Sequence, residues 1–287
     1  MKIKFVNHSS FIVEHDGVSI ISDPWLEGKV FNNGWDLISK TKLSYEDFKN
    51  IDYIWFSHEH PDHFYPPNLK LIPLEYKKNI TVLFQNTIDG RVANYCRNAG
   101  FKDVVELHKG KYYQLGKDFK ILCEYFGEGD SWIAYKAGGT TVLNTNDCGI
   151  RNKLEAEYIK NSVGKVDILL TQFSYAYWAG NKDDIAYRKR IADEKLGHMK
   201  YQVEIFNPVV TIPIASYVYF CHEENFYLND SVNTAEKTYS YLKNNTKTIP
   251  VILYNGDEYT FPEYWDSERS IAKYKEDFNN IALHQDR

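Results

Sequence analysis

The chain reads as an α+β protein, a four-layer αββα sandwich in which two sheets lie face to face under helices. Three observations predict it. Short apolar or alternating runs, broken by Gly, Asn and Asp turns, fill the first part of the chain. Helix-length segments between buried strands follow. The chain thus falls into two strand-rich halves, about 1–162 and 163–287, each followed by helices, as expected of stacked sheets with helical covers. Its 287 residues show no repeat, low-complexity segment or linker, so the halves make one domain.

Residues 3–6, 10–14 and 18–22 predict an antiparallel meander, turning at His15-Asp16-Gly17. Ser44 caps a short helix. Residues 52–57 are a continuous apolar strand, and 81–85 another; Thr87 then caps a helix through Ala99 that Gly100 stops. Short strands follow at 103–107, 112–115, 119–125, 132–136 and 140–145, the last two joined by the hairpin signal Gly138-Gly139. Residues 153–161 are helical, 166–172 a buried strand and about 182–206 a long charged helix. Strand 209–215, a loop to Asp230, helix 233–244, strand 249–254 and a helix near 266–279 complete the chain.

Composition narrows the function. An apolar share of 43% and a charged share of 25% are ordinary for a soluble globular protein. A net charge of −5 with no basic stripe argues against nucleic-acid binding, and Tyr187-Arg188-Lys189-Arg190 reads as the solvated face of a helix. No apolar run reaches the ~20 residues of a membrane helix, and Met1 to Val6 lack the pattern of a signal peptide. Cys96, Cys123, Cys148 and Cys221 are too scattered for a disulfide framework. Together these predict a cytoplasmic enzyme with a small-molecule substrate and neither nucleic acid nor membrane as partner.

The densest chemical signal is Phe56-Ser57-His58-Glu59-His60-Pro61-Asp62-His63. An apolar strand opens here into three histidines and an aspartate within six positions. On an extended backbone His58 and His60 point to one side. Pro61 turns the chain, so Asp62 and His63 can face a second, adjacent position. Imidazoles with a carboxylate suit zinc, iron or manganese, and two such cations about 3.5–4 Å apart are a common hydrolytic arrangement. Buried cations also need distant ligands. Asp147, at the end of a buried strand, suits a bridging position, and His222, after an aromatic run, suits a terminal one.

His58-Glu59-His60-Pro61-Asp62-His63 resembles the signature of the metallo-β-lactamase fold superfamily. Further features match in chain order: Asn7 to Val13 and Ile20 to Leu26 as its opening hairpin, Val142 to Cys148 as the strand bearing its bridging Asp, and Pro213 to His222. Asp23-Pro24-Trp25-Leu26, Asn144 to Cys148 and the stretch around His222 are similar, more closely, to the metallo-β-lactamase-like domain of CMP-N-acetylneuraminate hydroxylases. Those enzymes also carry a Rieske iron–sulfur domain, whose Cys-x-His pairs this chain lacks. The resemblance implies that His58 and His60 hold one metal, that Asp62, His63 and His222 hold the second, and that Asp147 bridges them. It implies that Asp23 holds the ligand loop by hydrogen bonds rather than binding metal. His8, at the end of the first strand, supports a ligand or touches substrate. The superfamily's usual further His has no counterpart in Phe126 to Trp132, where Glu128 or Asp130 could substitute. A carboxylate there would tilt the choice from zinc, the first expectation, towards iron or manganese.

The resemblance and the cluster predict a dinuclear hydrolase. A metal-bound hydroxide would cleave an ester, lactone or phosphodiester bond, with Asp62 orienting it and moving a proton. Trp25, Tyr175 and Trp178, on loops at the metal end of the strands, are candidates to contact a sugar- or nucleotide-like substrate. The alternatives are a di-iron oxidoreductase handling dioxygen on the same fold, and a degenerate member that binds a ligand without catalysis.

Overall fold

The computed structural model describes residues 1–127 and 129–284. The chain opens with β1 (Lys2–Asn7), β2 (Ser10–His15) and β3 (Val18–Ser22), the predicted meander. The short strand β4 (Trp35–Leu37) follows, then a 3-10 helix, Tyr45–Asn50, closed by a capping box between Ser44 and Asp47. Next come β5 (Tyr53–Phe56), α1 (Pro66–Leu71), α2 (Leu74–Lys77), β6 (Thr81–Gln85), α3 (Arg91–Asn98) and β7 (Asp103–Leu107). The second sheet begins with β8 (Tyr112–Gly116), β9 (Phe119–Phe126), β10 (Asp130–Ala137) and β11 (Thr140–Asn146). It continues through α4 (Lys153–Val163), β12 (Ile168–Gln172), α5 (Ile185–Phe206) and β13 (Val210–Ile214). The chain ends with β14 (Val218–Phe220), α6 (Ala235–Asn245), β15 (Ile249–Pro250), β16 (Glu258–Thr260) and α7 (Ser267–Asn279).

Two seven-stranded sheets result, in the orders β16-β1-β2-β3-β5-β6-β7 and β15-β13-β12-β11-β10-β9-β8, and β14 pairs with β4 apart from both. The sheets therefore part between β7 and β8 rather than near residue 162, and β16 returns to the first sheet. Side-chain alternation makes the layers. On β5 the buried Trp55 faces the inter-sheet core, while Ile54 and Phe56 join the cluster under α3. That double burial is why the strand reads as an unbroken apolar run. The inter-sheet core joins Phe5, Phe11 and Val13 to Ile121, Ile133 and Tyr135.

Several expected elements differ. Thr87 does not cap α3: the helix starts after Gly90 at φ +58°, and Thr87 Oγ1 bonds Asp89 at 3.1 Å. Strand 249–254 is cut to Ile249–Pro250, because the Ile252 N–H turns to Ser267 Oγ at the start of α7. The loop to Asp230 contains β14 and a 3-10 helix, Phe226–Asp230. Arg188 is not on a solvated face; it is fully buried and paired with Asp230. Among the described residues no helix is long and apolar enough to cross a membrane.

Candidate metal centre

The centre lies where β1, β3, β5 and β11 end. Three of these ends bend sharply: His8, Asp23 and Asn146, after β1, after β3 and at the end of β11, have φ of +43°, +39° and +45°. Non-glycine residues seldom adopt that region, and such strain gathers at functional sites. The His8 carbonyl accepts the Ala215 N–H at 2.9 Å, tying the two sheets together beside the site. At the end of β11 the register with β12 shifts between Asn144 and Asn146, a bulge that re-aims Asp147.

Asp23 organises the loop. It is fully buried and accepts the Ser57 N–H and the Ser57 hydroxyl, both at 2.7 Å, the Asn146 amide at 2.7 Å and His63 Nδ1 at 2.9 Å. A carboxylate only accepts, so His63 carries its proton on Nδ1 and presents Nε2. Ser57 spends its one hydroxyl proton on Asp23, so it accepts from His58 Nδ1 at 2.9 Å. His58 therefore also presents Nε2. Orientation of a ligating imidazole through its other nitrogen is how such rings are fixed.

Two donor groups converge. His8, Asp62 and His63 form one, and His58, His63 and Asp147 the other, with ligand atoms inside each group within 4.8 Å of one another. His63 Nε2 lies 3.4 Å from Asp62 and 3.5 Å from Asp147, and His8 Nε2 lies 3.4 Å from Asp62. His58 Nε2 is 2.9 Å from His60 Nδ1 and 3.7 Å from Asp130. His8 Nε2, Asp62 Oδ1 and His63 Nε2 are buried with no hydrogen-bond partner among the described residues. A buried polar atom left unpaired costs about 1–3 kcal/mol, so His8 Nε2 and His63 Nε2, each 3.4 Å from Asp62 Oδ2, call for a shared partner. Nitrogen and carboxylate oxygen donors in this set fit a divalent cation.

The electrostatics agree. Burial, then the His63 charge, push His58 down to about 4, leaving a neutral ring. Burial opposes the charged form of His63, but Asp62, Asp147 and Asp23 outweigh it and hold that ring well above its usual value. Burial disfavours the Asp62 carboxylate as well, yet His63 and His8 keep it well below the usual range. Burial first, and then the Asp147 charge, raise Asp130 to about 6. The carboxylates together thus call for positive charge at the point where the donors meet.

Of the sequence-predicted residues, the structure brings together His58, His60, Asp62, His63, Asp130 and Asp147, with Asp23 beneath them. His222 stays outside both donor groups: it is one-third exposed, in the turn after β14, and accepts the Glu224 N–H on Nδ1 at 3.3 Å. Glu128 lies outside the described residues. His8, expected in support, is instead a member of a donor group. Trp25 and Tyr175 are not free for substrate. Trp25 is fully buried and donates to the Gly28 carbonyl at 2.8 Å, and Tyr175 is buried with its hydroxyl on the Leu228 carbonyl. Trp178 is 61% exposed and open to a ligand. Sequence reasoning missed Asn146 and Gln172, whose Nε2 donates to Asp147 at 2.9 Å. An Asn beside an expected ligand at a strand end was the available signal for the first; Gln172 carried none.

Known proteins agree with this architecture. The chain is 25% identical over 250 residues to the cytidine monophosphate-N-acetylneuraminic acid hydroxylase of Asterias rubens, covering 82% of this chain and 37% of that protein. It is 23% identical over 247 residues to a Rieske-like 2Fe-2S iron–sulfur protein of Mycobacterium tuberculosis, covering 80% of this chain and 46% of that one. The chain thus spans less than half the length of these curated relatives. Among solved structures, a possible metal-dependent hydrolase of Veillonella parvula superposes with TM-score 0.66 at 15% identity, covering 91% of this chain and 99% of that one. CmlA, a diiron beta-hydroxylase from Streptomyces venezuelae, superposes with TM-score 0.63 at 14% identity, covering 91% and 54%. Both likenesses show the metallo-β-lactamase fold. Residues 2–194, well over half of the chain, match the family described as "Beta-lactamase superfamily domain", and the chain belongs to the β-lactamase superfamily.

Proposed function

We propose that this chain is a metal-dependent hydrolase that cleaves an ester, lactone or phosphodiester bond of a small polar molecule. His58, His60, Asp62, His63, Asp130 and Asp147 would hold two divalent cations, with His8 as a further donor. The observation that supports this most is the meeting of two unpartnered buried imidazole nitrogens, His8 Nε2 and His63 Nε2, on the one buried carboxylate of Asp62. Such a cation pair supplies an acidified water, with a pKa of about 7, and polarises the electrophilic oxygen. Asp62, with one oxygen free of hydrogen bonds, is placed to orient a water and then carry its proton to the leaving group. Trp178 offers an exposed flat face for a sugar or nucleobase ring.

A second reading, oxidative chemistry on iron, is favoured by one observation. Asp130, an oxygen donor, stands 3.7 Å from His58 where the superfamily usually places an imidazole, which suits a harder metal. The likeness to a sialic-acid hydroxylase points the same way.

Metal content per chain, measured by plasma mass spectrometry on native protein and on His60→Ala/Asp147→Ala, tests both. About two zinc ions, lost in the variant, support hydrolysis. About two irons move oxidation first and call for a dioxygen-consumption assay. A native chain that takes up no metal overturns both readings.

A further inference from the structure

Two cations, Lys195 and Arg151, and the ring of His198 lie near Asp147. Lys195 Nζ donates to Gln172 Oε1, and Gln172 Nε2 donates to Asp147 Oδ1 at 2.9 Å. An ammonium has no lone pair, so Lys195 also settles which end of the Gln172 amide faces Asp147. His198 follows Lys195 by three positions on α5 and shares its side of the helix. Arg151 comes from the segment joining Asp147 to α4 and is exposed, and its guanidinium folds back over Gly149, with Nε and Nη2 3.3 Å from where a Cβ on that glycine would sit, two positions from Asp147. Its charge reaches both partners: burial first, then Arg151, holds His198 below its ordinary value, and burial and Arg151 also lower Lys195 against the opposing pull of Asp147.

Arg151 and Lys195 are like charges, and like charges held together without counter-ions are unfavourable; His198, held below its ordinary value, stands neutral beside them. Among the described residues no carboxylate lies within ion-pair distance of Arg151, Lys195 or His198, although Arg190, one turn before Glu194, has found that partner at 3.6 Å. The nearby negative charges that Lys195 feels are Asp147 and Asp130, which face the metal centre. Cations bound there would offset them and leave the basic group uncompensated. Aromatic faces adjoin it: Lys195 Nζ sits 5.3 Å from the Tyr177 ring centroid, and Tyr177 and Trp178 are 42% and 61% exposed.

We propose that Arg151 and Lys195, backed by His198, form an anion subsite beside Asp147 that receives a phosphoryl or carboxylate group of the substrate. This rests on the metal-centre reading and deepens it: the substrate is a small anion, its charged group held here and its ring against Trp178. A protein of net charge −5 whose centre is lined by carboxylates would otherwise repel such a molecule.

The test is calorimetric titration of the full chain with inorganic phosphate and, separately, acetate, with metal content measured on every sample. Arg151→Ala touches no metal donor and removes an exposed side chain, so the variant should fold. It is expected to bind the preferred anion about tenfold more weakly with metal content unchanged. Lys195→Met should also weaken the anion, and Lys195→Arg, which keeps the charge and the donor to Gln172, should bind it as wild type does. A response to phosphate alone identifies a phosphoryl group, and to acetate alone a carboxylate. If wild type binds neither anion, or binds as tightly in Arg151→Ala/Lys195→Met as in wild type, the subsite is overturned even when metal is present. If the chain holds no metal but the anion still depends on Arg151, the subsite stands and the metal reading falls.

Discussion

His63 Nδ1 lies 2.9 Å from the Asp23 carboxylate, and this contact decides which nitrogen of the ring looks towards Asp62 and Asp147. Asp23 serves His58 too, through Ser57, so one buried carboxylate sets two imidazoles. Asp23→Asn replaces an acceptor by a group that also donates. Metal affinity is expected to fall about 10–100-fold, read by competition with a chromophoric chelator. Wild-type affinity in the variant would show that the rings are fixed by other means.

The two isolated histidines should separate. His8 belongs to a donor group and His222 does not. His8→Ala is expected to weaken metal retention on dialysis about tenfold or more, and His222→Ala to leave it near wild type. The reverse order would restore the terminal-ligand role that the sequence suggested for His222.

Asp130 gives metal uptake a pH dependence. Burial and the Asp147 charge hold its carboxyl at about 6, so below that pH the proton competes with the cation. Affinity should drop by up to about tenfold per unit as pH falls through about 6. Asp130→Asn should flatten that part of the profile while lowering affinity throughout. A profile identical to wild type would remove Asp130 from the ligand set.

Arg188 and Asp230 make an acid-sensitive clasp away from the centre. The buried guanidinium meets the carboxylate at 2.9 and 2.6 Å and also bonds the Asn181 and Lys182 carbonyls. Its hydrogen bond, partly offset by burial, lowers Asp230 below the usual carboxylate range. The unfolded value is then the higher one. The stabilisation is complete above about pH 4 and is lost as pH falls through the folded value. Asp230→Asn should cost about 1–3 kcal/mol at neutral pH, towards the low end because Asp230 is 36% exposed. The melting-temperature gap to wild type should close in acid; a gap that stays constant would mean that the charge on Asp230 contributes nothing.

Much of this was legible in sequence because local signals agreed with the global fold. The opening meander, the apolar β5 and the His58–His63 run each carry their own pattern, and each lies where expected. What was not legible depends on distant partners. The three-residue strands β4 and β14 exist only by pairing with each other. The end of β15 is set by a hydroxyl 15 positions further on. Arg188 looked solvated because nothing near it in sequence announces Asp230, 42 residues away. Trp25 and Tyr175 have the composition of a binding loop, and only packing shows that the core has claimed them.

The return of β16 to the edge of the first sheet has a consequence for biosynthesis. β1 pairs β16 from Lys2↔Thr260 to Lys4↔Glu258, so β1 leaves the ribosome long before the strand that covers that flank. During that interval β1 presents an unpaired backbone edge to other nascent copies. Closure at so large a sequence separation is also slow. Lys2 and Lys4, which later meet Glu258 at 3.4 and 3.6 Å, place positive charge along that edge while it stands open, and like charge discourages two such edges from joining.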